Sequence, residues 1–307
     1  MLRTRLWMGA ILIALVMCVL LFDPPPWYPF LLLLAIFLAA IGSIELHHLL
    51  GAAHGLPVWW NGGAVLVVLL ANWPARLWPD LFGRDPWFLV LAAFALVVLI
   101  AFLVEMARFE PPSQVAESPP PLSPPGTGGD KGGGGVVLRM ALLVWMTAYL
   151  GLLPSFLVQL RWPPMSAAEE GVAYNAAAAL ALTIFVPKCC DIGAYFTGRL
   201  LGRHPMSPVL SPKKTWEGLI GGLLLSAGVS VAINRLAPTL RGGDVSAAGF
   251  GLVIGGVGAL GDLAESLIKR DCRRKDASQV VPGFGGVLDV VDSIVFAAPV
   301  AYCWLRW

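Results

Sequence analysis

The chain has 307 residues, 57% of them hydrophobic and only 13% charged, with a mean hydropathy of +0.76. Soluble domains of this size carry about 25% charged residues, so the composition excludes an ordinary soluble domain and puts the bulk of the chain in a bilayer. The net charge of +2 is small; the information lies in where the charges fall.

A spanning helix needs roughly 20 apolar residues. By that measure nine candidates follow in chain order: about 5–22, 28–44, 58–73, 87–104, 136–160, 173–198, 216–234, 249–268 and 287–304. The first follows Arg3 and Arg5 as a secretory leader would, but no small-x-small cleavage site comes after its apolar run. Met17 before Cys18 also does not suit lipoprotein cleavage, so the segment is expected to stay as a transmembrane helix. The second and third candidates are short, as a tilted or re-entrant segment would be. The expected fold class is an all-α polytopic membrane protein of about nine transmembrane helices.

Residues 110–135, EPPSQVAESPPPLSPPGTGGDKGGGG, are rich in Pro and then in Gly. Such a stretch has no apolar face to bury and is expected to be a disordered cytoplasmic linker. It separates N-terminal transmembrane helices at 1–109 from a C-terminal catalytic transmembrane domain at 136–307. The chain shows no convincing internal repeat, which weakens an inverted-repeat transporter reading. The cysteines, Cys18, Cys189, Cys190, Cys272 and Cys303, are odd in number and lack CxxC spacing, so they read as small buried hydrophobes.

With nine spans and a cytoplasmic N-terminus, 14 Lys and Arg fall inside and 6 outside; Lys188, within a span, completes the 21. Lys and Arg favour the cytoplasmic side, so the basic loops 199–215 and 269–286 are expected to face the cytoplasm. The expected location is the cell inner (cytoplasmic) membrane, with the active site toward the cytoplasm.

Asp191, Asp262, Glu265 and Asp289 fall inside or at the edge of apolar spans, and Asp292 follows Asp289 by one turn. A charge at the bilayer centre costs at least about 2.5 kcal/mol on insertion scales, so these side chains face a protein interior or a wet cavity. In GDLAESLIKR, Asp262, Glu265, Ser266 and Lys269 share a helix face; in GGVLDVVDS, Asp289, Asp292 and Ser293 do the same. Gly285 and Gly286 permit a tight turn before the second of these helices. Two carboxylate-bearing faces joined by a basic loop suit a hard divalent cation such as Mg²⁺, which takes carboxylates together with substrate phosphates, and nearby Lys and Arg suit a phosphate-bearing substrate.

A second cluster is DIGAYFTGRLLGRHPMSPVLSPKKTWEG, residues 191–218. Asp191, Arg199 and Arg203 precede Ser211, Lys213, Lys214 and Thr215, with Pro212 and Gly218 interrupting regular structure around them. Cations and hydroxyls at a helix start form an anion cradle. Anchoring to anionic headgroups accounts for Arg199 and Arg203, but poorly for the SPKKTWEG string.

At these two stretches the sequence resembles the CDP-diacylglycerol synthase family, the phosphatidate cytidylyltransferases. The family signature runs Ser-x-apolar-Lys-Arg, four residues, Lys-Asp, then Pro-Gly-His-Gly-Gly and Asp-Arg-apolar-Asp-Ser. Here it reads Ser266-Leu-Ile-Lys269-Arg270, four residues, Lys275-Asp276, then Pro282-Gly283-Phe284-Gly285-Gly286 and Asp289-Val290-Val291-Asp292-Ser293. The likeness covers roughly residues 185–300. Phe284 stands in the His position and Val290 in the Arg position, removing a proton donor or hydrogen bond and a phosphate contact.

The resemblance implies that CTP and phosphatidic acid give CDP-diacylglycerol and pyrophosphate, for phospholipid biosynthesis, with Mg²⁺ as cofactor. Asp262 and Asp289, with Asp191 or Asp292, would hold the metal. Asp262, Lys269, Asp289 and Asp292 would be the catalytic set. Ser211, Lys213, Lys214, Thr215, Arg270 and Lys275 would contact substrate phosphates, with Glu265 and Asp276 as orienting groups. The implied partners are CTP, phosphatidic acid and membrane lipids; nucleic acid is not among them, and a homodimer stays open. Two alternatives use the same residues: an ion or phosphate transporter, whose polar groups should run through the full membrane depth, and another CTP-dependent lipid enzyme such as a polyprenol kinase, which would differ in its acceptor.

Overall fold

A computed structural model of the chain describes residues 2–51, 55–83, 85–108, 135–163, 175–274, 277–278, 280–281 and 285–306. The expected linker, except Gly135, lies outside the described residues, as do Lys275, Asp276 and Phe284.

The helices are α1 (Leu2–Phe22), α2 (Pro29–Leu46), α3 (Val58–Leu70), α4 (Pro86–Ala107), α5 (Val136–Thr147, continuing to Gln159), α6 (Ala176–Leu201), α7 (Trp216–Leu236), α8 (Gly243–Asp271) and α9 (Leu288–Arg306). A π turn at His47–Gly51 prolongs α2, and another at Ala148–Leu152 lies within α5. Two single-turn helices, Pro74–Leu77 and Pro79–Phe82, bridge α3 and α4. Among the described residues seven helices are long and apolar enough to cross a membrane. The other two, α1 and α3, offer the shorter apolar stretches Trp7–Phe22 and Val58–Leu70. The segment expected to be short at 28–44 is a full-length span, Pro29–Leu50, because its π turn carries the helix onward.

Local chemistry sets the helix starts. Asn175 accepts from the amide of Ala178 (3.0 Å), and Thr215 from that of Gly218 (3.1 Å), each satisfying one of the free donors that open a helix. Asp23 reaches seven and eight residues on to the amides of Phe30 and Leu31, both at 2.9 Å, just where Pro29 opens α2.

Helices α6 to α9 pack backbone against backbone. A β-carbon at Gly222 of α7 would lie 2.5 Å from the carbonyl oxygen of Cys190 on α6, and one at Gly251 of α8 would lie 2.5 Å from Cα of Ala227 on α7. One at Gly261 of α8 would sit 2.8 Å from the carbonyl oxygen of Asp292 on α9. Lipid removes the hydrophobic drive for helix association, so small residues that allow this close contact supply much of the cohesion. Helices α1 to α5 instead interlock large side chains such as Leu46, Leu69, Trp73, Met146 and Leu150. Helix α9 belongs to both regions: Leu288 and Val295 join the first core, and Ala297 and Ala301 join a second with Leu182, Phe250 and Ile254.

Between α6 and α7 the chain forms a small antiparallel hairpin, β1 (Pro205–Ser207) against β2 (Ser211–Thr215). The expected break at Gly218 is replaced by helix: Thr215 caps α7, and Gly218 lies within its first turn. There Gly218 allows close packing, since a β-carbon would fall 2.8 Å from the carbonyl oxygen of Ala194.

Candidate active site

The carboxylates expected from the sequence converge where α6, α8 and α9 meet the hairpin, and three lysines cross-link them. Lys188 of α6 reaches Asp292 of α9 at 3.1 Å and Asp191 at 3.7 Å. Lys214 of β2 binds Asp262 of α8 at 2.6 Å. Lys269 of α8 bridges Glu265 at 2.8 Å and Asp289 of α9 at 2.5 Å. Asp292, Glu265 and Lys269 are 4%, 3% and 8% exposed. The Ser293 hydroxyl donates to Asp191 at 3.4 Å, and its amide donates to Asp292 at 2.6 Å.

Five carboxylates thus face three ammonium groups, a formal excess of two negative charges. Oxygens of Asp262, Glu265 and Asp292 lie within 4.8 Å of one another, a grouping able to hold a metal ion. Glu265 Oε1 is buried there with no hydrogen-bond partner among the described residues. An unpartnered buried carboxylate oxygen is costly, and a divalent cation with a preference for oxygen ligands fits both that atom and the charge excess.

This grouping differs in part from the set expected from the sequence, Asp262 and Asp289 with Asp191 or Asp292: it contains Asp262 and Asp292, leaves out Asp289 and takes in Glu265. Both oxygens of Asp289 are engaged otherwise: Oδ1 by Lys269, Oδ2 by the amides of Gly286 (2.6 Å) and Ala277 (3.2 Å). Asp289 therefore anchors the loop before α9, while Glu265, expected only to orient its neighbours, stands among the oxygens that a metal would meet. Asp191 lies beside the group through Lys188 and Ser293.

Next to the cluster a cavity of about 430 Å³ opens between α6, the hairpin, α7 and α8. Its lining includes Asp191, Tyr195, Arg199, Lys213, Lys214, Thr215, Leu219 and Asp262. The size is within the range of small-molecule sites, and the lining holds both cations, Arg199, Lys213 and Lys214, and carboxylates, Asp191 and Asp262. Ser211 sits at the start of β2, paired with Ser207, and is not among the lining residues. Arg270 donates to the carbonyl of Leu210 (3.3 Å), tying the end of α8 to the hairpin rather than lining the cavity. Glu217 fixes the base of the hairpin by accepting from the amides of Arg203 (3.1 Å) and His204 (3.2 Å). Lys275 lies outside the described residues.

Two contributors escaped the sequence reading. In the sequence Lys188 reads only as a charge within a span; its spacing of three from Asp191, on a helix that is apolar before it, is the available signal. Glu45, on α2, is the second. It is 2% exposed and accepts from the Ser278 hydroxyl and the amides of Val287 and Leu288. The rule that charges in spans have partners would have flagged it too.

Charge-free stretches separate the cluster from the opposite helix ends: 176–187 in α6, 218–234 in α7, 245–261 in α8 and 293–305 in α9. A continuous ionic path through the full depth of these helices is therefore absent among the described residues.

The family model described as "Cytidylyltransferase family" matches residues 3–307. The phosphatidate cytidylyltransferase of Brucella suis is 46% identical over 114 residues, covering 36% of this chain and 41% of the relative. That of Synechocystis is 41% identical over 178 residues (50% of this chain, 58% of the relative). That of Mycobacterium bovis is 33% identical over 180 residues (58% and 54%). The chain thus aligns with between 41% and 58% of the length of these three curated relatives.

Proposed function

The chain belongs to the cytidylyltransferase family, and from that premise we propose that it is a CTP:phosphatidate cytidylyltransferase acting at the cytoplasmic face of the inner membrane. Residues 136–307 carry the reaction, 1–109 brace it, and 110–135 link the two. The observation that carries this reading is the acidic group of Asp262, Glu265 and Asp292 beside a lysine-lined cavity at one end of an apolar bundle. A water-soluble nucleoside triphosphate and a lipid phosphate can meet there without either crossing the membrane.

Asp262, Glu265 and Asp292 would hold Mg²⁺, with Asp191 adjoining. When bound, the metal would neutralise phosphate charge and orient the triphosphate. In the reaction a phosphate oxygen of phosphatidate attacks the α-phosphorus of CTP, and a new P–O bond forms. The bond from that phosphorus to the oxygen bridging to the β-phosphate breaks, and pyrophosphate leaves with the bonding electrons. No covalent protein intermediate is required, so the work of the chain is positioning and charge stabilisation. Lys213 and Lys214 draw the triphosphate into the cavity. Arrival of phosphate lets Lys214 exchange its Asp262 partner for a phosphate oxygen, freeing that carboxylate. Lys188 and Lys269 keep the remaining carboxylates in place by linking α6, α8 and α9.

The test is direct. Purified protein is incubated with labelled CTP, phosphatidic acid and Mg²⁺; label should enter the organic phase, and omission of either substrate or of Mg²⁺ should prevent it. Label that stays in the aqueous phase, or transfers equally to a polyprenol, would overturn the assignment.

A further inference from the structure

We propose that Glu45, on the second helix of the N-terminal region, is a positioning residue for the active site, acting on the loop and helix start that carry Asp289 and Asp292. The inference rests on the reading of the site given above and extends it to a part of the chain outside residues 136–307.

The geometry is specific. Glu45 Oε1 accepts from the Ser278 hydroxyl (2.5 Å) and the amide of Val287 (2.9 Å), and Oε2 accepts from the amide of Leu288 (2.9 Å). A helix opens with donors that its own turns cannot satisfy. Here two donors at the start of α9 are met by a carboxylate more than 240 residues away in sequence. Negative charge at a helix N-terminus is also favourable in itself. The backbone comes so close that a β-carbon at Gly286 would fall 2.7 Å from Glu45 Oε2. Packing holds Glu45 in turn: Leu46 and Leu288 share one core, and Gly42 faces Leu288.

The consequence runs through Asp289. Its Oδ2 accepts from Gly286 and Ala277, within the stretch that Glu45 holds from the other side through Val287 and Ser278. Two carboxylates, one from each region, therefore clasp Ala277 and Ser278 together with Gly286, Val287 and Leu288. Asp289 aims Lys269, and Asp292 lies one turn deeper on the same helix. If the clasp loosens, α9 starts less sharply and both carboxylates lose their fixed depth.

The test uses the full chain in nanodiscs and two readouts. Hydrogen exchange is followed in peptides covering 277–290 and in peptides of α6 to α8, and turnover is measured with CTP and phosphatidate. In Glu45→Gln the amide group brings a donor where the backbone also donates, so one buried N–H is left unpaired. Exchange at 277–290 should rise about tenfold or more, with α6 to α8 unchanged. The rate kcat should fall about 10- to 100-fold, since a small misplacement of Lys269 and Asp292 is costly at a site that works by positioning, with KM for phosphatidate little altered. Glu45→Asp, which keeps the carboxylate, should recover part of the rate. Unchanged exchange at 277–290, or a rise spread evenly over all helices, overturns the proposal. If Glu45→Gln does not fold, Ser278→Ala removes one donor and leaves the carboxylate; a local rise in exchange then supports the clasp, and none overturns it. A wild-type chain inactive on CTP and phosphatidate, with local loosening still seen in the variants, would remove the assigned reaction and leave the positioning role of Glu45 standing.

Discussion

Helices α6 to α9 touch at glycines and serines and bury charge; α1 to α5 touch at leucines, tryptophans and methionines and bury mostly neutral polar groups. In the first region the close approach at Gly222, Gly251 and Gly261 sets the distances between carboxylates on different helices. In the second, the polar contacts tie helix ends together: Asn72 donates to Ser155 at 2.8 Å and accepts from Gln159 at 2.7 Å. Backbone-to-backbone packing tolerates little displacement, which suits a site that must hold like charges a few ångströms apart. Side-chain interlocking tolerates more, which suits a brace. Glu45 departs from the second pattern because it serves the first region.

The largest expected effect breaks the acidic group. Asp262→Ala and Asp292→Ala should each lower turnover by about 10³-fold, the equivalent of several kcal/mol of transition-state charge stabilisation, while size-exclusion profiles in detergent stay those of the folded protein. Activity near that of the wild type in either variant would show that the metal assignment is mistaken. Next comes packing. Gly222→Val forces a side chain against the Cys190 carbonyl and should destabilise by about 1–3 kcal/mol or more, read as a lower thermal midpoint. Gly63→Ala on α3, where a β-carbon meets nothing within 4 Å, should instead be neutral or stabilise by about 0.5–1 kcal/mol. If both changes behave alike, the contrast between the two regions fails.

Smaller effects sharpen the contrast. Lys214→Met should raise KM for CTP about tenfold or more, since bonds to charged groups contribute about 1.5–3 kcal/mol, and the salt dependence of KM should weaken. Asn72→Ala should cost about 1–3 kcal/mol of stability, with kcat unchanged. Arg235→Ala, at an exposed pair with Asp244, should change stability by less than about 1 kcal/mol and leave turnover alone.

The helices were legible in the sequence because apolar run length is a local property. So was the shared face of Asp262, Glu265 and Lys269, which follows from helical spacing alone. The pairing between faces was not. Helices α8 and α9 run antiparallel from one loop, so the residues nearest it, Lys269 and Asp289, meet each other. Those one turn deeper, Glu265 and Asp292, meet in turn, together with Asp262. This depth matching leaves Asp289 outside the close group of carboxylate oxygens and brings Glu265 into it. The contacts of Glu45, and that of Lys188 with Asp292, were hidden for a related reason: these partners lie 233 to 243 and 104 residues away. The hairpin at 205–215 was missed because its strands are only three and five residues long and are polar.

The way α9 joins both cores has a consequence for assembly. Without α9, the charges that the other described elements bring to the cluster, Lys188, Lys214 and Lys269 against Asp191, Asp262 and Glu265, balance three to three. Asp289 and Asp292 arrive with a helix that follows all the others in chain order. The cluster is therefore neutral in formal charge until α9 docks, and the negative surplus that would attract a cation appears only with that helix.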